Sequence, residues 1–298
     1  MKKQSIALIC FLALFSLPIK SMGSDGAAQF LDQSLYPRAV GMGSAYTSLA
    51  NGSDALSWNP AGITGGDMAV SLFRYIESDY ITIQGSYGLS FMGHDMGFGV
   101  GYVSSRFDGV QETLKQGESR DTTTGILYGY LGQALQLGGS VKIQEGFTAG
   151  MTLKMVQERE ANHSASGVGL DVGIQSEPFK NFKVGAVIKN LISPEMTWDT
   201  PSKSVDTLTR TGVIGIAYTL EKLTLSADFS ADAHETWVQA GGEYLLHPML
   251  PIRGGIGKNE WSMGTGLILG STSIDMSYTQ HAKEGVDGSY RLGLRHTF

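Results

Sequence analysis

Residues 222–232 read KLTLSADFSAD, and the fold turns on how their side chains alternate. Leu223, Leu225, Ala227 and Phe229 fall on one side of an extended chain. Thr224, Ser226, Asp228 and Ser230 fall on the other. Period-two alternation of this kind specifies a strand with one apolar face and one polar or small face. SIDMSYT (273–279) repeats it, with Ile274, Met276 and Tyr278 opposite Ser273, Asp275, Ser277 and Thr279. VGLDVGI (168–174) repeats it again, with Asp171 between glycines on the polar side.

Working outward, about fourteen such runs follow: 67–75, 79–91, 96–106, 123–143, 147–158, 165–176, 182–191, 209–220, 222–231, 236–246, 250–257, 261–270, 272–281 and 288–298. The run at 123–143 is long enough for one strand or two, which sets the count at thirteen to fifteen. Most runs have nine to twelve residues. That length suits a tilted strand crossing a bilayer and exceeds the five or six usual in soluble sheets. The connections sort by parity. FDGVQETLKQGESRD (107–121), ISPEMTWDTPSKSVDTL (192–208) and HAKEGVDG (281–288) are odd and long; MGHD, QEG, EPFKN, EK and HPM are even and short. Outer-membrane barrels have long external loops and short periplasmic turns. The expected fold is therefore all-β: a transmembrane antiparallel β-barrel of about 14 strands (67–298), with both ends on the periplasmic side.

The N-terminus agrees with export. Met1-Lys2-Lys3 precedes SIALICFLALFSLP (5–18), a short basic region and an apolar core that read as a signal peptide over 1–23. Cys10 lies inside it and is the only cysteine, so no disulfide or thiol chemistry is expected beyond it. Removing Met1 to Met22 leaves 19 basic against 28 acidic residues, a net −9. An acidic exported chain argues against nucleic-acid binding. Charged residues make up only 17% and glycine 40 of 298, and no later stretch approaches 18 consecutive apolar residues. The expected location is the cell outer membrane.

The last residues, GSYRLGLRHTF (288–298), put Tyr290, Leu292, Leu294 and His296 in step with terminal Phe298. Such an ending resembles the signal read by the barrel assembly machinery, an expected partner beside membrane lipid. If the apolar faces meet lipid, the lumen receives Lys154, Asp171, Lys183, Lys189, Asp228, Glu243, Arg253, Asp275, Arg291 and Arg295. Mixed signs imply internal pairing and a crowded interior. Gly150, Gly167, Gly169, Gly173 and Gly185 on the same face leave room for something else. Fourteen strands enclose more space than side chains fill in an eight-stranded barrel, so a further segment is expected to plug it. Residues 24–66 lack sustained alternation and are that segment, an N-terminal hatch with short helices. The stretch SDALSWNPAGITGG (53–66) would turn it out of the lumen into the first strand.

Within it, Arg38, Ala39, Gly41, Met42, Gly43, Ala45, Tyr46, Ala55, Trp58, Asn59, Pro60, Ala61 and Gly62 carry a resemblance. The block is similar to the N-terminal signature of the PorV/PorQ-like and UPF0164 outer-membrane proteins, within the FadL-like long-chain fatty-acid transporter group. The resemblance implies a fourteen-stranded barrel with a hatch in its lumen. It also implies uptake of a hydrophobic small-molecule ligand, such as a fatty acid, beside an Asn-Pro-Ala box at Asn59, Pro60 and Ala61. Candidate ligand contacts are Phe30, Leu31, Leu35, Tyr36, Met42, Tyr46, Trp58 and Ile63. The alternative is a PorV-like interaction protein serving a secretion apparatus through the loops at 107–121 and 192–208. No enzymatic motif is expected: the six histidines fall mostly at turns, without a serine and acid in a recognisable motif or metal-ligand spacing. No cofactor and no metal are implied.

Overall fold

The computed structural model describes residues 27–31, 35–75, 77–115, 121–282 and 287–298. The signal peptide expected over 1–23 lies outside them. The strands are β1 (Asp67–Tyr75), β2 (Ser78–Phe91), β3 (His94–Lys115), β4 (Asp121–Gln144), β5 (Phe147–Glu160), β6 (His163–Phe179), β7 (Phe182–Ile192), β8 (Glu195–Trp198), β9 (Val205–Thr207), β10 (Thr211–Leu220), β11 (Leu223–Ala231), β12 (Thr236–His247), β13 (Leu250–Gly257), β14 (Glu260–Leu269), β15 (Thr272–His281) and β16 (Ser289–Thr297). β1 to β7 pair in order, β7 pairs with β10, and β10 to β16 continue in order. The ring closes where β16 pairs with β1, from Asp67↔Thr297 to Phe73↔Arg291. Fourteen antiparallel strands thus form a closed barrel, and β8 and β9 stand outside the count.

Alternation decides which side faces in. On β11, Leu225 and Phe229 are each 52% exposed on the outer surface, whereas Ser226, Asp228 and Ser230 are buried inside. The outer surface carries exposed leucine, isoleucine, methionine and aromatic side chains on every wall strand, a band that a bilayer covers. Turns at one end are tight: Met92 and Gly93, alone between β2 and β3, have φ of 51° and 80°, the two-residue hairpin geometry that matches strand twist. Both barrel ends, Asp67 and Phe298, lie at this short-turn end.

The long connections depart from expectation. Residues 107–115 and 121 are strand rather than loop: β3 and β4 stay paired to Lys115↔Asp121. β2 pairs with β3 only as far as Arg106, and β5 with β4 only as far as Tyr130. The remainder is a two-stranded ribbon projecting past its neighbours. The polar sequence of 107–115 hides the strand, because it has no sustained apolar alternation. The run at 123–143 belongs to one strand, β4. The connection 192–208 holds the β8–β9 hairpin, and β8 pairs onto β6 at Ala165↔Trp198. Part of 281–288 falls outside the described residues.

Inside the ring lies an N-terminal plug with two short helices, Pro37–Gly41 and Ala55–Trp58, and 3₁₀ turns at Gln29–Leu31, Gly52–Asp54 and Pro60–Gly62. Among the described residues no helix is long and apolar enough to cross a membrane.

Candidate functional site

The plug is held by wall side chains that reach inward. Arg38 grips Glu243 of β12 with two bonds, Nε to Oε2 at 3.0 Å and Nη2 to Oε1 at 2.9 Å. Arg253 of β13 donates to Glu243 at 2.6 Å and to Asp275 of β15 at 2.6 Å. Four alternating charges therefore tie the first helix to three strands, the pairing that buried ions require. Asp228 Oδ2 accepts from the backbone N–H of Tyr46 (3.0 Å) and Thr47 (2.9 Å). Asp67 Oδ1 accepts from Ser53 N–H at 2.8 Å, and Asp54 pairs with Arg295.

The Asn-Pro-Ala box is a local cap joined to the wall. Pro60 opens the 3₁₀ turn, with Asn59 as its extended N-cap. Asn59 Oδ1 accepts from Ala61 N–H at 3.2 Å. Its Nδ2 donates at 3.0 Å both to Thr47 O within the plug and to Ile174 O on β6. Lumenal glycines give the plug backbone its seat. A Cβ on Gly150 would come within 2.3 Å of Pro60 O, and one on Gly241 within 2.1 Å of Met42 O. Side chains at those positions would push the plug off the wall.

Two cavities flank this seal. The upper one, of about 380 Å³, lies toward the long-hairpin end and is lined by Leu31, Leu35, Trp58, Leu208 and Val213 together with Lys154, Asp171, Lys189, Asp228 and Arg291. The lower one, of about 270 Å³, lies toward the short turns and includes Tyr36, Arg38, Asp54, Glu243, Arg253, Asp275 and Arg295. Beside the upper cavity, Phe30, Leu35, Val103, Ala134, Val156, Met196 and Leu208 belong to one apolar cluster. The upper cavity is amphipathic.

Of the eight expected ligand contacts, Leu31, Leu35 and Trp58 line the upper cavity and Tyr36 the lower. Phe30, Met42, Tyr46 and Ile63 are buried in packing contacts and line neither. Phe30 fills a notch over Gly132, and Ile63 sits against Gly97 and Gly138. Of the inward charges, Lys154, Asp171, Asp228 and Arg291 reach the upper cavity, and Glu243, Arg253 and Asp275 the lower. Lys183 is exposed instead, one residue into β7 from the short turn. Terminal Phe298 is exposed, and its N–H bonds Gly66 O at 3.0 Å.

The wall has an irregularity beside the upper cavity. β6 and β7 pair at Val172↔Ile188 and next at Leu170↔Ile192, so Lys189, Asn190 and Leu191 bulge opposite Asp171. Asn190 has a φ of 55°. Asp171 Oδ1 accepts from Asn190 N–H at 2.7 Å and pairs with Lys154 Nζ at 2.7 Å. Asn190 Nδ2 donates to Thr209 O at 2.8 Å. Sequence reading placed Lys189 in the lumen but missed Asn190, because strict alternation cannot register a bulge. It also missed Asp54, whose only signal was a lone acid in a charge-poor segment. Among the described residues, no group of three or more His, Cys, Asp or Glu side chains could hold a metal ion.

The architecture is shared with solved outer-membrane barrels. The Pseudomonas putida toluene transporter TodX matches with a TM-score of 0.61 at 14% identity, over 88% of this chain and 97% of that one. A Pseudomonas aeruginosa FadL homologue matches with 0.60 at 12% identity, over 89% and 99%. A mutant of the TodX monoaromatic hydrocarbon channel matches with 0.62 at 12% identity, over 90% and 100%. These likenesses establish a FadL-type fold. A family model described as "F plasmid transfer operon, TraF, protein" matches residues 123–265, a little under half of the chain. No curated protein matches the chain in sequence.

Proposed function

We propose that this chain is an outer-membrane transporter for long-chain fatty acids or other hydrophobic molecules, related to the PorV/PorQ-like branch of FadL-type barrels. The observation that carries this reading is a plugged barrel with an amphipathic cavity directly above the plug. Leu31, Leu35, Trp58, Leu208 and Val213 give that cavity an apolar side, where an aliphatic chain would leave water at about 0.8 kcal/mol per methylene. The reading requires no covalent chemistry. The ligand would enter at the long-hairpin end and rest against the strap that carries Leu31 and Leu35. It would leave downward past the plug or sideways through the wall, where the β6–β7 bulge interrupts the ladder. The solved barrels named for toluene and monoaromatic hydrocarbons support a hydrophobic cargo.

The test is direct binding of oleate to the purified barrel, read by quenching of tryptophan fluorescence, Trp58 and Trp237 both lining the upper cavity. Saturable binding is expected; a barrel that binds no fatty acid, with or without Asn59→Ala, would sink the reading.

A second reading, presentation of the long hairpins to a protein of a secretion apparatus, is supported by the projecting β3–β4 ribbon. Co-purification from native membranes separates the two: a stoichiometric protein partner lost on deleting 108–128 favours presentation, and lipid alone favours transport.

A further inference from the structure

The outer face of β3–β6 changes character along its height. From the short turns upward it is apolar: Phe98 and Val100 on β3, Leu137 and Leu135 on β4, Met151, Leu153 and Met155 on β5, all exposed. A polar row follows. Gln133 of β4 stands opposite Gln157 of β5, and Gln157 opposite Ser166 of β6. Gln133 Nε2 donates to the hydroxyl of Tyr102 on β3. One step higher on β5, Arg159 is exposed on the same side. About ten residues separate this row from the short turns on β4 and β5. At about 3.4 Å per residue and a tilt near 40°, that spans about 25 Å, the height of a barrel's apolar band. The amides therefore sit where hydrocarbon gives way to headgroups.

The opposite wall meets this level differently. Trp261, Tyr278 and Tyr290 face outward there as a contiguous aromatic group, with ring centroids 5.7 and 4.8 Å apart. Aromatic rings are the usual residents of that zone, and amides are not, since an amide facing lipid is costly unless hydrogen-bonded. On β3–β6 the amides frame a surface groove of about 610 Å³, lined by Tyr102, Gln133, Leu135, Met155, Gln157 and Val168 among others. Among the described residues no charged side chain lines it. Its lower part is apolar and its upper part hydrogen-bonding, and the arginine lies just above.

We propose that this groove is a specific site for one phosphate-bearing membrane lipid. The acyl chain lies along Leu135, Met155 and Val168. The ester and headgroup oxygens accept from Gln157 and Ser166, and the phosphate meets the Arg159 guanidinium, a charge-assisted contact. The lipid satisfies the Gln157 amide, which hydrocarbon would leave unpaired, and it continues the lipid interface of the barrel. The site stands on the outside of the wall and does not depend on what the lumen carries.

The test is native mass spectrometry of the full mature chain, released from detergent micelles doped with phosphatidylglycerol or with diacylglycerol, which lacks the phosphate. One phosphatidylglycerol per barrel is expected to survive release, and diacylglycerol not. Gln157→Leu combined with Arg159→Ala is expected to weaken retention about tenfold, with barrel integrity followed by heat-modifiable gel migration. Ser166→Leu is a second, independent variant expected to weaken it in the same direction. Trp261→Ala, on the opposite wall, is expected to leave retention unchanged. Equal retention of the two lipids overturns the proposal. So does unaltered retention in the intact Gln157/Arg159 and Ser166 variants, or an equal loss in Trp261→Ala, which marks a general lipid annulus.

Discussion

Residues 37–63 and the strap before them, described over 27–31 and 35–36, share one lumen, but a different force dominates in each. The first stretch is bonded to the wall at fixed points: Arg38 to Glu243, Tyr46 and Thr47 to Asp228, Ser53 to Asp67, Asn59 to Ile174. Its backbone also rests on lumenal glycines at separations that exclude a Cβ. In the strap, Phe30 and Leu35 belong to an apolar cluster and Leu31 and Leu35 line the upper cavity, with two wall bonds at its ends, the Ala28 N–H to Glu158 and the Tyr36 hydroxyl to Gln84. Directional bonds fix a position, whereas apolar packing is non-directional and can be replaced by another apolar body of similar volume. The difference divides the residues that the sequence had grouped together as expected ligand contacts. Met42, Tyr46 and Ile63 belong to the seal; Leu31 and Leu35 border the space a ligand would occupy.

That contrast can be broken from its strongest point. Glu243→Ala leaves Arg38 and Arg253 inside the barrel without their shared partner, and should cost the seal about 3–5 kcal/mol. Hydrogen exchange of the 37–47 amides would report it. Arg38→Ala should cost less, about 1 kcal/mol, because the Arg38 side chain is 32% exposed and its pair is partly screened. A loss in Arg38→Ala as large as in Glu243→Ala would mean that the four-charge chain does not act as drawn. Asn59→Ala removes three hydrogen bonds, two of them buried, and should destabilise the 45–63 turn by roughly 2–4 kcal/mol. Single-channel recording should show a rise in basal conductance. If conductance stays at the wild-type level, the box is not part of the seal.

Effects in the strap should be smaller and of another kind. Leu35→Ala should cost about 2 kcal/mol, the low end for a leucine beside an existing cavity, while basal conductance stays closed. A leaky Leu35→Ala barrel would erase the division between strap and seal. The smallest effect belongs to the outer hairpin. The Ser164 N–H, the Ser164 hydroxyl and His163 hold the Asp199 carboxyl below its usual value near 3.9. A depressed carboxylate adds stability above its unfolded pKa and loses it as pH falls through the lower folded one. Amide protection at Asp199 should be flat from pH 8 to pH 5 and fall only below about 4. A loss already complete above pH 5 would mean that the Asp199 carboxylate does not carry it.

Much of this was legible in the chain because a membrane wall obeys period two throughout. The boundaries of β1, β13 and β15 coincide with the alternating runs, and the parity of long and short connections marks the two ends. What escaped had no such rule to reveal it. Residues 107–115 pair as strand without an apolar face, so polarity looked like loop. The Asn190 bulge shifts register by side-chain bonds to Asp171 and Thr209, which no local pattern encodes. Glycines on the lumenal face signalled that something lay against them. Which plug atom met which glycine is a matter of contacts far apart in the chain, such as Pro60 with Gly150 and Met42 with Gly241. Leu31, Leu35 and Trp58 could not be separated from Met42, Tyr46 and Ile63 by sequence, since all six are apolar residues in one plug.

Photolabelling with a diazirine-bearing long-chain fatty acid tests the central division most directly. Labels should fall on Leu31, Leu35, Trp58, Leu208 and Val213, around the upper cavity. Labels concentrated on Met42, Tyr46 and Ile63, with the strap clean, would contradict it.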